Sequence, residues 1–197
     1  MLKQHEKILL ASASPRRKEL LTSVGLSFRI QPSGIVEVGY GGAPEKVPSR
    51  IVLQKMKSAK AQMGMNLEGY ILVADTVVAL GQEVFGKPEN AKHAQAMLEQ
   101  LSGKTHQVYT CFRVEGLEGN FVEKTVRTDV HMRKLTSQMI HGYIQSGEPF
   151  DKAGGYAIQG LGGVFVESIQ GSYSNVVGLP MAEVVDALMD LKVISFE

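Results

Sequence analysis

Two adjacent arginines follow a serine and a proline close to the N-terminus, where residues 12–17 read Ser-Ala-Ser-Pro-Arg-Arg. An apolar run precedes this segment and apolar residues at helical spacing follow it, so the pattern predicts a strand, a turn and a helix. Ser14 would be the N-cap and Pro15 the first helical residue, where a missing N–H loses no hydrogen bond. Unpaired N–H groups at a helix start and guanidinium forks both bind phosphate oxygens. The segment therefore predicts a phosphate site formed by Ser14, Arg16 and Arg17.

A second candidate place for chemistry is Asp75, which directly follows the apolar run of residues 70–74. This run predicts a short strand buried on both faces. A carboxylate at the end of such a strand is either a local cap or a metal ligand or base in a cleft, and its position leaves both interpretations open. The neighbouring Thr76 could likewise bond locally or contact a ligand.

Several lysines are less specific candidates, because most lysines lie in solvent. The tight turn at residues 86–88 presents Lys87, and the predicted helix 49–65 carries Lys55, Lys57 and Lys60. We expect at most one of the three helix lysines to point into a site.

The glycine-rich segment 151–160 combines flexible backbone with polar side chains. Its paired glycines allow a backbone to approach a ligand closely. Gln159 offers both a donor and an acceptor, which could recognise the edge of a nucleobase. The alternative is a plain strand–loop–strand connection in which Asp151 and Lys152 form an exposed ion pair.

Composition excludes several classes of protein. The chain has 197 residues, of which 44% are hydrophobic, and a net charge of +1, which does not favour nucleic-acid binding or a polybasic membrane anchor. The single cysteine, Cys111, excludes an internal disulfide and a cysteine metal cluster, and we expect it to be a small core residue. No P-loop, dinucleotide fingerprint or hydrolase triad is present. Without a signal peptide or a membrane-spanning run, we expect a cytoplasmic protein.

Strand-like and helix-like segments alternate along the chain without a strict strand–helix–strand repeat, which predicts a mixed α/β fold. Helices are predicted at residues 14–24, 49–65, 90–101, 136–146 and 180–191. Strands are predicted at residues 7–12, 27–31, 70–74, 76–80, 83–85, 107–115, 121–133 and 164–169.

Taken together, segments spread over nearly the whole chain resemble the motifs of the Maf family of nucleotide pyrophosphatases. They are Ala-Ser-Ala-Ser-Pro-Arg-Arg at 11–17, Val-Ala-Asp-Thr-Val-Val at 73–78, Gly-Lys-Pro at 86–88, Leu-Ser-Gly at 101–103, Asp-Lys-Ala-Gly-Gly-Tyr at 151–156, Ile-Gln-Gly at 158–160 and Val-Gly-Leu-Pro at 177–180. The resemblance implies an elongated α/β fold related to inosine triphosphate pyrophosphatases, in which residues 1–197 form a single domain with two lobes around a cleft. It also implies hydrolysis of a nucleoside triphosphate to the monophosphate and pyrophosphate with Mg²⁺ or Mn²⁺, and it is compatible with a homodimer.

The resemblance further implies roles for individual residues. Asp75 would be the base that orients or deprotonates water, with Lys57 and Lys87 as catalytic cations. The metal ligands would be Glu37 and Asp75, although Val36 stands where the family usually has a second acid. The substrate-binding residues would be Ser12, Ser14, Arg16, Arg17, Thr76, Lys152 and Gln159.

Three positions resemble the branch of the family that hydrolyses dTTP and UTP. Another subgroup has a bulky aromatic residue, a glutamine and a glutamate where this chain has Arg16, Thr76 and Gln159. Two alternatives stay open. One is a catalytically weak nucleotide-binding regulatory protein that acts through a protein partner, which Val36 favours, and the other is a phosphatase that releases orthophosphate.

Overall fold

The computed structural model describes residues 2–35, 41–64 and 68–197, so the predicted metal ligand Glu37 lies outside the described residues. The strands are β1 (Leu2–Gln4), β2 (Ile8–Leu10), β3 (Arg29–Ile30), β4 (Tyr70–Leu80), β5 (Glu83–Phe85), β6 (Thr105–Gly116), β7 (Phe121–Met132), β8 (Val166–Gln170) and β9 (Ile194–Phe196). The α-helices are α1 (Pro15–Ser23), α2 (Val47–Met63), α3 (Ala91–Leu101), α4 (Ser137–Gln145), α5 (Tyr173–Val177) and α6 (Met181–Asp190). Short 3-10 turns occur at Pro44–Lys46, Glu148–Asp151, Ala153–Gly155 and Leu161–Phe165.

The main sheet has the strand order β3-β2-β4-β6-β7-β8, with β5 also paired to β4. Strand β2 runs parallel to both β3 and β4, whereas the pairs from β4 through β8 are antiparallel. Strands β1 and β9, which the sequence pattern did not predict, form a separate antiparallel pair that joins the two ends of the chain. The predicted mixed α/β fold is confirmed.

One edge of β4 contains a notch. Residues 70–72 of β4 pair with β2, and residues 78–80 pair with β5. Residues 73–77, between these two segments, pair with β6 along the opposite edge of β4. Along the edge shared by β2 and β5, no strand of the described chain pairs with them. Because β2 ends at Leu10 and α1 begins at Pro15, the β2–α1 turn faces this notch.

The predicted break in β4 at Asp75 is wrong, because the strand runs without interruption from Tyr70 to Leu80. The alternation of a strand places Asp75 and Thr76 on opposite faces of the sheet. Each side chain finds polar partners on its own face, Lys55 for Asp75 and Thr110 for Thr76. The two polar residues therefore interrupt the apolar pattern of the strand without interrupting the strand.

The core is divided at the level of these two residues. On one face of the sheet, one apolar cluster contains Leu72 and a second contains Val78, with Thr76 between them. On the other face, which α2 covers, Val73 and Val77 belong to separate clusters on either side of Asp75. On each face of the sheet, two apolar clusters are therefore separated by a polar residue in the centre of β4, Thr76 on one face and Asp75 on the other. This division corresponds to the expected pair of lobes.

Local capping signals account for the starts of α3 and α4. Asn90 caps α3 by accepting a hydrogen bond from the N–H of His93, and Thr136, the predicted N-cap of α4, accepts one from the N–H of Met139. Helix α5 has only five residues, which is too short to show a repeating apolar pattern at helical spacing. The sequence pattern therefore did not predict it.

Candidate active site

A cavity of about 440 Å³ opens at the notch in the edge of β4. This volume lies within the range of small-molecule sites. The β2–α1 turn, the centre of β4, the turn after β5 and the segment 151–159 supply its walls. The predicted site residues that line it are Ser12, Ser14, Arg16, Arg17, Asp75, Thr76, Lys87, Lys152 and Gln159.

The start of α1 has the geometry expected for an anion site. Ser14 occupies the N-cap and Pro15 the first turn, as predicted, but the Ser14 side chain makes no capping hydrogen bond. The N–H of Ser14 instead donates to Oγ of Ser12, at 3.2 Å. The first N–H groups of a helix have no partner within the helix, so this turn presents donors and a partial positive charge to the cavity.

Arg17 is a buried cation with a fixed orientation, since only 8% of the residue is exposed. Its Nε donates to the carbonyl of Gly178 at 2.8 Å. One terminal nitrogen donates to Oγ of Ser12 at 3.0 Å, and the other donates to Oγ1 of Thr76 at 3.2 Å. A guanidinium held in this way loses little further side-chain entropy when it binds an anion.

Asp75 forms a buried ion pair with Lys55. The Nζ of Lys55 lies 2.7 Å from Oδ1 of Asp75, and the two side chains are 9% and 4% exposed. Two charges out of water need such close pairing, because removing either one leaves the other uncompensated. The carboxylate and the ammonium group both line the cavity.

The assignment of Lys57 to the site needs correction, because Lys57 is exposed and does not line the cavity. The helical period explains the difference: Lys55 is one turn from the buried residues Ile51 and Ala59 and shares their face, whereas Lys57 points away from it. The position of Lys55 within the apolar stripe of the helix is the signal that could have placed it at the cavity, whereas the resemblance selected Lys57.

The mouth of the cavity is bridged by a contact between Arg16 and Asp151. A terminal nitrogen of Arg16 lies 3.3 Å from Oδ2 of Asp151, which also pairs with Lys152. Partial burial by itself raises the pKa of Asp151, but Lys152 and Arg16 outweigh it and hold the pKa below its ordinary value. The ion pair of the alternative interpretation is present, but the Lys152 side chain is only 11% exposed, and Arg16 extends the pair across the site.

Gln159 lies on a segment that is fixed by Glu148. The backbone N–H groups of Leu161 and Gly162 each donate to one carboxylate oxygen of Glu148 at 3.0 Å. The Tyr143 hydroxyl donates to the same carboxylate at 2.9 Å. Partial burial raises the pKa of Glu148, but these donors stabilise the charged form and hold the pKa below its ordinary value.

The pKa of Glu148 leads to a prediction on stability. We expect Glu148→Gln to lower the free energy of unfolding at pH 7 by about 2 kcal/mol, because one amide end cannot accept the N–H of Leu161 or Gly162. The lowered pKa stabilises the folded protein above the pKa of the unfolded chain, and this contribution disappears as the pH falls through the folded pKa.

The measurement is urea unfolding of both proteins from pH 7 to pH 3. The difference between them should be complete above the ordinary pKa of a glutamate, about 4.3, and should shrink as the pH falls below it. Glu118→Gln, at an exposed loop position, is the matched control and should show no difference at any pH. A difference for Glu148→Gln that does not change with pH would contradict the prediction.

The described part of the site suits a divalent cation that arrives with the substrate. Among the described residues, the carboxylates that line the cavity are Asp75 and Asp151, and Asp151 is paired with two cations. Within residues 2–35, 41–64 and 68–197, no group of three acids, histidines or cysteines could hold a metal. In many sites Mg²⁺ is bound by one or two carboxylates, and phosphate oxygens of the substrate complete its coordination shell. Asp75 could supply such a carboxylate.

Lys55, Asp151 and Ser33 are among the cavity residues that sequence reasoning did not assign to the site. Lys55 was named only as one of three helix lysines, Asp151 only in the alternative of an exposed ion pair, and Ser33 not at all. Ser33 is buried, and its carbonyl accepts hydrogen bonds from Ser58 and Gln62 on α2. No local pattern marks a loop serine that long-range contacts bring to a site.

Comparison with known proteins agrees with the motifs. Residues 7–191 match the family model described as Maf-like protein. A dTTP/UTP pyrophosphatase of Citrifermentans bemidjiense is 47% identical over 189 residues, covering 94% of this chain and 95% of the relative. One from Bacillus cereus is 46% identical over 187 residues, covering 92% and 94%.

A solved structure of a nucleoside-triphosphatase (dITP/XTP pyrophosphatase) from Mycobacterium abscessus aligns with a TM-score of 0.48 and 15% identity. The alignment covers 94% of this chain and 96% of that chain. In the part of the chain that the structure describes, no helix combines the length and apolar character needed to cross a membrane. The match over residues 7–191, together with relatives of more than 40% identity over nearly their full length, establishes that this chain belongs to the Maf family.

Proposed function

We propose that this protein hydrolyses nucleoside triphosphates, with dTTP and UTP preferred, to the nucleoside monophosphate and pyrophosphate. The observation that carries the proposal is the cavity itself, in which the cations Arg17 and Lys55 and the carboxylate Asp75 are held together by buried contacts. Relatives of 42–47% identity bear the name dTTP/UTP pyrophosphatase, which supports the choice of substrate.

The cations of the cavity would bind the triphosphate. Arg17 and the N–H groups at the start of α1 form one wall, and Lys87 and Lys152 come from two other segments. Phosphoryl transfer depends mainly on positioning and on neutralising charge at the phosphate oxygens. The hydrogen bonds of Arg17 fix its guanidinium before substrate binds, and its charge can neutralise phosphate oxygens.

Asp75 would orient the attacking water and accept its proton. The water oxygen forms a bond to the α-phosphorus, the bond from that phosphorus to the bridging oxygen breaks, and pyrophosphate leaves with the electron pair. The Nζ of Lys55, 2.7 Å from Oδ1, fixes the position of the carboxylate, which lines the cavity. A divalent cation, when bound, neutralises phosphate charge, and Asp75 with Glu37 would hold it.

The test is product analysis with dTTP, UTP, CTP, dATP and GTP in the presence of Mg²⁺ or Mn²⁺, with pyrophosphate resolved from orthophosphate. Pyrophosphate and monophosphate from dTTP and UTP support the proposal. Orthophosphate as the product would instead indicate a phosphatase. Saturable nucleotide binding without turnover would indicate the regulatory protein.

Base selection gives a separate prediction for Gln159, which lines the cavity on the segment held by Glu148. Gln159→Glu replaces an amide donor by an acceptor, so a polar atom of the base or of the protein is left unpaired. We expect kcat/KM for dTTP and UTP to fall by about tenfold or more, with a smaller change for other bases. Equal losses for all five nucleotides would exclude Gln159 from base recognition.

A further proposal concerns the oligomeric state and the cellular location of the protein. We propose a homodimer, which the resemblance to the Maf family favours, in the cytoplasm. Light scattering on the purified protein gives the assembly state, and a mass of one chain would contradict the dimer.

A further inference from the structure

We propose that Thr110 is a positioning residue, which orients the hydroxyl of Thr76 and through it the guanidinium of Arg17. The inference concerns the phosphate-binding part of the proposed function and rests on it. Thr110 does not line the cavity, since it is fully buried beneath it on β6. It lies directly opposite Thr76 in the antiparallel register of β4 and β6.

A chain of hydrogen bonds connects these residues across the sheet. A terminal nitrogen of Arg17 is 3.2 Å from Oγ1 of Thr76, which is 2.9 Å from Oγ1 of Thr110. Oγ1 of Thr110 is in turn 3.0 Å from the carbonyl oxygen of Asn175. Three polar side chains therefore connect the cavity to the backbone of α5.

The groups at the two ends of this series of hydrogen bonds determine which hydroxyl donates and which accepts at each step. A carbonyl accepts only, so the hydrogen of Thr110 goes to Asn175, and Thr110 must then accept from Thr76. With its hydrogen directed to Thr110, Thr76 presents lone pairs to Arg17, whose guanidinium donates only. Thr76 thus offers the cavity an acceptor and not a donor.

The alternative arrangement shows what Thr110 prevents. Oγ1 of Thr76 also lies 3.4 Å from the carbonyl of Gly178, the acceptor that Nε of Arg17 uses at 2.8 Å. Without the hydroxyl of Thr110, the hydrogen of Thr76 would turn towards that carbonyl and compete with Arg17 for it. Because the contact to Thr110 is 0.5 Å shorter, 2.9 Å against 3.4 Å, the present arrangement is favoured.

The end of the hydrogen-bond series at Asn175 is held in place by further contacts. Asn175 is fully buried, and its side-chain amide donates to the carbonyl of Val108 at 3.1 Å and to Oγ1 of Thr128 at 3.0 Å. The carbonyl that Thr110 uses therefore has a fixed position relative to β6 and β7. Hydrogen bonds at both the backbone and the side chain of Asn175 restrict the arrangement of this buried network.

The experiment compares Thr110→Val, which keeps the shape and removes the hydroxyl, with Thr110→Ser, which keeps the hydroxyl. Thr125→Val, at an exposed position of β7, is the matched control. For Thr110→Val we expect KM for dTTP, UTP and CTP to rise by one common factor of about five to ten, with kcat changed less than about threefold. Inhibition by inorganic pyrophosphate should weaken by the same factor, and Thr110→Ser should restore both.

A second readout needs no turnover. In protein labelled with ¹⁵N-arginine, the Nε–H signal of Arg17, assigned through Arg17→Lys, should exchange slowly because it is buried against Gly178. Thr110→Val should broaden this signal or speed its exchange, while Thr110→Ser and Thr125→Val should preserve it. Thr110→Ala carries the same prediction if Thr110→Val does not fold.

An unchanged Arg17 signal together with an unchanged pyrophosphate affinity in Thr110→Val would overturn the proposal, even if the variant melts at a lower temperature. A change in the ratios among bases, rather than a common factor, would also overturn it. If the wild-type protein has no turnover, the proposed function fails, but the Arg17 signal still decides whether Thr110 positions it.

Discussion

Asp75→Asn lowers kcat for dTTP and UTP by about a hundredfold or more while the protein stays folded. Asparagine has nearly the same shape and keeps an oxygen that can accept the hydrogen bond from Lys55 at the present 2.7 Å. It cannot accept a proton from water, and it no longer carries the charge that pairs with Lys55, so the loss of kcat is read only in protein whose folding has been checked. The measurement is kcat from pyrophosphate release, with circular dichroism as the check on folding.

Asp151→Asn is the matched control for Asp75→Asn. Both carboxylates line the same cavity and both contact a basic side chain, but the Asp151 residue is exposed whereas only 3% of the Asp75 residue is accessible. We expect Asp151→Asn to change kcat by less than about tenfold, an effect on substrate positioning at the mouth of the site. A near-normal kcat in folded Asp75→Asn would remove Asp75 as the base.

Lys55→Met lowers the free energy of unfolding by about 3–5 kcal/mol, because it leaves the carboxylate of Asp75 buried without its cation. We also expect kcat/KM to fall by about a hundredfold, since Lys55 fixes the position of the Asp75 carboxylate. Lys57→Met, two residues away on the exposed side of α2, should leave stability within about 0.5 kcal/mol and activity near the wild-type level.

The double variant Lys55→Met, Asp75→Asn separates stability from catalysis. Replacing both members of a buried ion pair by neutral side chains is often neutral or stabilising, so the double variant should recover most of the stability that Lys55→Met loses. Its activity should stay as low as that of Asp75→Asn. If Lys57→Met abolishes activity and Lys55→Met does not, the assignment of Lys55 to the site is incorrect.

The sequence alone was sufficient for features that depend on neighbouring residues. The helix start at Pro15, the N-cap at Thr136 and the hairpin around residues 81–82 depend on local backbone preferences, and all three are present. The apolar periodicity likewise placed most helices and strands to within a few residues. The motifs identified the family because each one is short, continuous and in the same order as in its relatives.

Tertiary structure decided what depends on contacts between distant segments. The continuity of β4 through Asp75 requires Lys55, twenty positions earlier, and Thr110, thirty-five positions later, to satisfy the polar pair. The choice of Lys55 over Lys57 depends on which face of α2 covers the sheet. A pattern of residue types carries no information on such pairings, because the energy of a buried polar group depends on the partner that folding brings to it.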